Sequence, residues 1–182
     1  KNMVRSIRHW GLACGLAEEK AIPKSRDKTI AQTSLGEQLL ADDGLDPYLE
    51  DTSTLWLIHY LLTRSPGRSQ SWHWLFNHWK SREFHKEELV RELIAFAHTA
   101  SGRVNENTIR RDLDCLLRSY VTRRDPKAKG LSEDSLDCPL AELGLIAEIG
   151  VGDTYVFQVG DHHTLTTQTF AFCLNDYWDR HH

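Results

Sequence analysis

One pattern in the sequence constrains the fold more than any other: a helix with a regular apolar stripe is followed by two short strand-like segments, and this order occurs twice. In the first copy Met3, Ile7, Trp10 and Cys14 recur at helical spacing, which predicts that one side of this helix is buried. Residues 16–33 then predict two strands joined by a polar loop. A helix that leads into such a ribbon is typical of the last part of a winged helix-turn-helix.

The second copy lies in the C-terminal half of the chain. Asn105 is a suitable N-cap for a helix that continues to Val121, and residues 143–159 predict a β-hairpin that turns at two glycines. The apolar side chains that this helix is expected to bury are Ile109, Leu113, Leu116, Leu117 and Tyr120. A terminal helix is expected to bury a further set, namely Leu165, Phe170, Phe172, Leu174, Tyr177 and Trp178.

These elements predict a mainly α fold with small β-hairpins, in which two winged helix-turn-helix modules are joined by a helical connector. Residues 1–41 are expected to form the C-terminal part of a first winged helix, with its recognition helix and wing. Residues 42–84 are expected to form the connector, and residues 85–182 a second winged helix with a C-terminal helix. Because a winged helix has helices before its recognition helix, we expect further helices upstream of the first module.

Charge is segregated along the chain. Residues 1–30 carry seven basic and three acidic side chains, and residues 103–129 carry eight and four, so each segment has a net charge of +4. Residues 130–182 carry one basic and nine acidic side chains, a net charge of -8. A net charge of -4 for the whole chain excludes a uniformly basic nucleic-acid coat. The two basic segments could form local patches that bind a polyanion. Chance clustering of charge on a solvated surface is the alternative explanation.

The first helix is the stronger candidate for contact with DNA, because its outward side chains are cationic or carry an amide and none is acidic. Such side chains reach phosphates and base edges. The candidates are Lys1, Asn2, Arg5, Arg8 and His9 on the helix, and Lys24, Arg26 and Lys28 on the ribbon that follows it. A solvated helix face is the alternative explanation.

The second helix offers Asn107, Arg111 and Arg118 on its outer side, but Asp114 lies among them and is expected to repel a phosphate. The turn of the following hairpin carries Asp153 and no basic residue. This second module is therefore a candidate either for DNA binding or for docking of a protein.

The sequence predicts no catalytic residue, no metal site and no cofactor. It contains no GxSxG motif and no Walker loop, and its histidine and cysteine pairs lack HxxxH or CxxC spacing. Cys138 is the best candidate for a sulfur-carrying thiol, although no partner lies near it in sequence. Four tryptophans of the connector could stack on unpaired bases, but their apolar neighbours favour a packed core; they are Trp56, Trp72, Trp74 and Trp79.

Two further features concern the cellular setting. No apolar run reaches ~18 residues, so no membrane partner is expected. The four cysteines are widely spaced, which favours reduced thiols and a cytoplasmic protein over a disulfide framework.

Several segments carry a resemblance to a known family. They are residues 1–12 (KNMVRSIRHWGL), 35–37 (LGE), 43–51 (DGLDPYLED), 54–59 (TLWLIH), 107–112 (NTIRRD) and 138–146 (CPLAELGLI). Together they resemble the bacterial domain-of-unknown-function family numbered four thousand and seven over nearly the whole chain. Members of that family are commonly encoded near DNA phosphorothioation or phage-defence genes, including those of sulfur-transfer proteins. The resemblance implies a setting and no catalytic site.

Two functions are compatible with these features. The first is a non-enzymatic DNA-binding component of a phosphorothioation or related phage-defence system, with double-stranded DNA, phosphorothioated or not, as its partner together with proteins of that system. The second is an adaptor whose acidic C-terminal winged helix docks a sulfur-transfer enzyme or nuclease. An enzyme with a cryptic site is a third and weaker alternative.

Overall fold

Residues 2–101, 105–121, 138–150 and 152–182 are described by the structure, a computed structural model of the chain. Their fold is mainly α-helical with two small antiparallel sheets, as the sequence predicts. The chain divides into two compact units: unit 1 comprises Lys1–His73 and Leu165–His182, and unit 2 comprises Trp74–Thr164. The C-terminal helix thus belongs with the N-terminal residues, a division different from that expected from the sequence.

Unit 1 begins with a helix and a hairpin. Its elements are α1 (Asn2–Ala13), β1 (Ala17–Ala21), β2 (Lys28–Gln32), α2 (Ser34–Leu40), α3 (Thr52–Thr63) and the terminal helix α7 (Thr167–His181). Helix α4 (Gln70–Asn77) begins in unit 1 and ends in unit 2. Strands β1 and β2 pair antiparallel, with Ala17 opposite Gln32 and Ala21 opposite Lys28. The predicted helix and ribbon of the first module are both present.

The junction between α1, β1 and α2 is tightly built. Gly15 ends α1 in a left-handed conformation with φ of 69°, which glycine adopts without steric cost. Thr33 caps α2: its hydroxyl accepts a hydrogen bond from the Gly36 N–H at 3.1 Å and donates one to the Gly15 carbonyl at 2.8 Å. The Thr33 side chain therefore joins the beginning of α2 to the end of α1.

Unit 2 contains a three-stranded sheet packed on helices. Its elements are the end of α4, β3 (Glu83–His85), α5 (Lys86–Ser101), α6 (Glu106–Tyr120), a 3-10 turn (Pro139–Leu143), β4 (Ile146–Glu148) and β5 (Thr154–Phe157). The strand order is β3-β5-β4, with both pairs antiparallel. The hairpin of β4 and β5 is confirmed. Strand β3 is an addition that the sequence does not signal, because three residues are too few to show a period.

The predictions for α6 are confirmed in detail. Asn105 is the N-cap and accepts a hydrogen bond from the Thr108 N–H at 3.2 Å. All five expected core residues of α6 are buried: Ile109, Leu113, Leu116, Leu117 and Tyr120. The connector tryptophans Trp56, Trp72 and Trp74 are buried as well, which supports a core role rather than base stacking.

Two predictions about burial are wrong. The stripe of α1 is buried only at its end, at Cys14, whereas Met3 and Ile7 are 75% and 66% exposed. The expected core side chains of α7 are also outside: Phe170, Phe172, Leu174, Tyr177 and Trp178 are each 45–59% exposed. Among the described residues, nothing covers the first two turns of α1 or the aromatic side of α7.

The reason for the orientation of α7 is a polar network on its inner side. The half-buried carboxylate of Asp176 accepts hydrogen bonds from the Tyr60 hydroxyl at 2.7 Å, from Arg64 Nη1 at 3.0 Å and from Arg180 Nε at 3.0 Å. Partial burial opposes ionisation, but these partners hold the pKa of Asp176 below its ordinary value. The network fixes α7 on α3 through polar groups and leaves its apolar side chains in solvent.

Candidate nucleic-acid interface

The first two turns of α1 project their side chains into solvent. Arg5, Arg8 and His9 are all exposed, and the His9 ring packs edge-on against Trp10 at a centroid distance of 5.3 Å. Lys1 and the side chain of Asn2 lie outside the described residues. The described candidates on this helix are therefore on the solvent side, as the helical spacing predicts.

The β1–β2 hairpin carries the remaining candidate cations of the N-terminal segment. Lys24 and Arg26 lie in the exposed loop between the strands, and Lys28 begins β2. Lys24 adopts the left-handed conformation with φ of 64°, which turns the chain at the tip. Within the described part of the chain, no ion pair involves Lys24, Arg26 or Arg5.

One carboxylate joins the helix to the hairpin. Glu19 of β1 accepts hydrogen bonds from Arg8 Nη2 of α1 at 2.9 Å and from Lys28 Nζ of β2 at 3.0 Å. Arg68, from the segment between α3 and α4, approaches the same carboxylate with Nη2 at 3.2 Å. We call these four residues the Glu19 cluster. It brings Arg8 of α1, Lys28 of the hairpin and Arg68 to one carboxylate.

The electrostatics of the Glu19 cluster are those of a fixed anion among cations. The hydrogen bonds from Lys28 and from Arg8 lower the pKa of Glu19 to about 2, so the carboxylate is ionised throughout the physiological range. Three cations and one anion leave the cluster with a net charge of +2. The sequence identified Arg8 and Lys28, but it gave no signal for Arg68, which is distant along the chain.

In unit 2 the outer side of α6 presents the other candidates. Asn107, Arg111 and Arg118 are exposed there. The acid among them, Asp114, is paired with Lys86 Nζ at 2.6 Å. Lys86 at the start of α5 therefore places a positive charge beside the acid that the sequence expects to repel a phosphate.

The turn between β4 and β5 is acidic, as predicted. It contains Asp153, which adopts a left-handed conformation with φ of 51°, and it follows the exposed Glu148, the last residue of β4. The Tyr155 hydroxyl donates to Asp153 Oδ1 at 3.3 Å, and the Lys86 N–H donates to the Asp153 carbonyl at 3.1 Å. These contacts hold the turn beside the beginning of α5.

The cysteines are free thiols. Burial raises the pKa of Cys14 to about 12 and also raises the pKa values of Cys115 and Cys173, which makes these three thiols poor nucleophiles at neutral pH. Cys138 is half-buried in front of the 3-10 turn. Among the described residues, no three His, Cys, Asp or Glu side chains converge to bind a metal ion.

No helix in the described ranges combines the length and the apolar character that a membrane span requires.

Comparisons with known proteins give one family model and two similar crystal structures. A family model described as "Protein of unknown function (DUF4007)" matches residues 1–182. The chain is similar to a magnesium ion-bound SspB crystal structure, with 29% identity and a TM-score of 0.88 over 100% of this chain and 55% of that one. A second SspB crystal structure gives 30% identity and a TM-score of 0.86 over 99% of this chain and 54% of that one. The chain thus spans about half the length of these structures, and no curated protein matches it.

Proposed function

The chain belongs to the DUF4007 family, and from this membership we propose that it is a DNA-binding component of a bacterial DNA phosphorothioation or related phage-defence system. The setting rests on the gene neighbourhoods typical of the family and is compatible with the similarity to SspB. Its partners are double-stranded DNA and proteins of the same system. The proposal assigns no catalytic step to this chain.

The order of the elements supports winged helix-turn-helix modules. From α4, whose end lies in unit 2, the elements β3, α5, α6, β4 and β5 follow one another, with β3 pairing to β5. This is the element order of a winged helix with α6 as its recognition helix. We place the start of this module at α4. In unit 1, α1 followed by the β1–β2 hairpin and α2 corresponds to the end of such a module, and residues 42–69 connect the two.

One observation carries the proposal: Arg8 of α1 and Lys28 of the hairpin meet at Glu19. A recognition helix and its wing contact DNA together only if their cations lie on one face, and the Glu19 cluster supports this arrangement in unit 1. Arg5 and His9 on the helix, with Lys24 and Arg26 at the hairpin tip, extend that face. Asn107, Arg111 and Arg118 of α6 are proposed as a second set of contacts.

Titration of the protein with duplex DNA at increasing salt tests this function. We expect binding at low salt that weakens as salt rises, because cations that neutralise phosphates release counterions. The double variant Arg5→Ala with Arg8→Ala should bind about tenfold or more weakly and show a salt slope smaller by about two. Fluorescence anisotropy of labelled DNA measures both quantities.

The control for this experiment removes the same number of charges from another exposed surface. Lys80 and Arg91 lie in unit 2 and are exposed, so the variant Lys80→Ala with Arg91→Ala should bind as the wild type does. Absence of binding at low salt, or unchanged binding by the Arg5 and Arg8 variant, would refute the proposal.

An adaptor function is the second candidate, and the acidic turn of the β4–β5 hairpin favours it. The acidic surface is smaller than the sequence suggests, because Asp176 lies in unit 1 and is neutralised by Arg64 and Arg180. Glu148 and Asp153, at the end of β4 and in the turn that follows it, are the proposed docking residues. The double variant Glu148→Gln with Asp153→Asn tests it. If this variant no longer binds a basic protein partner but still binds DNA, the adaptor function is favoured.

A further inference from the structure

The cations of the Glu19 cluster have hydrogen-bonding capacity to spare. An arginine side chain has five N–H donors and a lysine ammonium has three. Arg8 and Arg68 each approach Glu19 through Nη2, and Lys28 through Nζ. The described part of the chain provides no other side-chain partner for any of the three cations. Most of their donors are therefore available to a second anion.

Exposure shows where that anion has access. The Glu19 side chain is only 17% exposed, whereas the side chains of Arg8, Lys28 and Arg68 are 50%, 57% and 49% exposed. The carboxylate thus lies beneath three cations whose outer sides face solvent. A group that approaches from solvent meets the cations first and the negative charge of Glu19 last.

The three cations are also fixed by separate parts of the backbone. Arg8 is on α1, Lys28 is at the start of β2, and Arg68 precedes Ser69, whose buried hydroxyl donates to the Leu62 carbonyl at 2.6 Å. Each side chain is already gathered at Glu19 before any ligand binds, so less conformational entropy is lost on binding. Guanidinium groups in such a position suit the oxygens of a phosphate, which they bind in pairs of parallel hydrogen bonds.

We propose that Arg8, Lys28 and Arg68 together form a binding site for one backbone phosphodiester of DNA, with Glu19 as the positioning residue that gathers them. This inference rests on the proposed function and adds Arg68 as a contact that neither helix-turn-helix module contains. It also assigns Glu19 a role in the interface, although the residue is acidic. The site fixes the register of the DNA on unit 1 without reading its sequence, because a phosphate carries no base information.

The test uses Arg68→Ala and a labelled duplex of about 20 base pairs, two helical turns. We expect the affinity to fall about five- to tenfold at low salt and the salt slope to fall by about one, equally for duplexes of different sequence. Arg68→Lys retains the charge and should restore the salt slope. Because Arg68 is half exposed, thermal melting of both variants should match the wild type.

Three outcomes separate the possible failures. In the first, Arg68→Ala binds DNA as the wild type does, whereas the double variant Arg5→Ala with Arg8→Ala binds more weakly. This result overturns the phosphate site but not the proposed function. Unchanged binding by all these variants overturns both. The third outcome comes from a separate titration with inorganic phosphate. If the wild type binds phosphate at micromolar concentration, Arg68→Ala does not, and neither protein binds duplex, then the site binds a free anion and the assignment to DNA is overturned.

Discussion

Replacement of Gly36 by alanine is expected to destabilise unit 1 by about 3 kcal/mol or more. An ideal Cβ at Gly36 overlaps the Leu16 carbonyl oxygen and lies 2.9 Å from the carbonyl carbon. Both atoms belong to the backbone, so no side chain can move aside. Helix α2 must separate from the start of β1, which also strains the Thr33 hydrogen bonds to this junction.

The measurement is thermal or denaturant unfolding, with hydrogen exchange of the α2 and β1 amides as a local readout. Gly11→Ala is the matched control, because Gly11 lies inside α1 and its added Cβ meets only the Ala17 Cβ at 3.4 Å. That change should leave stability equal or slightly higher, since alanine favours a helix more than glycine does. Equal stability of Gly36→Ala and wild type would contradict the close approach of α2 to Leu16.

Replacement of Leu113 by alanine is the second change with a large expected effect. Leu113 is fully buried in the middle of α6, among Ile109, Leu116 and Leu117. Loss of a buried leucine side chain costs its transfer free energy and leaves a cavity, together about 3–5 kcal/mol. The free energy of unfolding of unit 2, measured with urea, should fall by this amount.

The control for Leu113 is Arg111→Ala on the exposed side of the same helix. It removes no buried contact, and we expect the stability of unit 2 to change by about 0.5 kcal/mol or less. If α6 contributes to DNA binding, this control variant should lower the affinity for duplex while the protein remains folded. Similar destabilisation by both substitutions would contradict the assignment of the two sides of α6.

The prediction from periodicity succeeded for α6 and failed for the first two turns of α1, whose apolar stripe is exposed. In α6 the apolar spacing identified the buried side, and the N-cap Asn105 identified its start. The hairpins were also recognisable, since strand-forming residues flank turn-forming residues in both. Gly36 belongs to a short segment that supported the family resemblance, and the structure supplies its physical reason in the contact with Leu16.

Periodicity failed at α7 because long-range polar contacts decide the orientation of that helix. Its apolar residues have helical spacing, yet the inner side is formed by Thr169, Cys173 and Asp176, which are half-buried. The partners of Asp176 are Tyr60 of α3 and Arg64, the residue after α3, and both are more than 100 residues away along the chain. Local sequence cannot reveal such a pairing.

Only part of the candidate interface was predictable, because it too depends on contacts between residues that are distant along the chain. The exposed cations of α1 and of the hairpin were evident because helical spacing and turn residues place them outside. The role of Glu19 was not, since an acidic residue in a strand gives no sign that three cations surround it. Arg68 reaches the site only through the path of the backbone after α3, so only the structure associates it with α1.

The most direct test of the account is to map which residues contact DNA. Two-dimensional ¹H–¹⁵N NMR spectra of the protein, recorded at low salt during titration with duplex DNA, provide this map. We predict chemical-shift changes for the amides of residues 5–9 in α1, of residues 24–28 in the hairpin and of Arg68. These changes should become smaller as the salt concentration rises. Shifts confined to unit 2, or none at low salt, would contradict the central claim that α1 and the β1–β2 hairpin form one DNA-binding face.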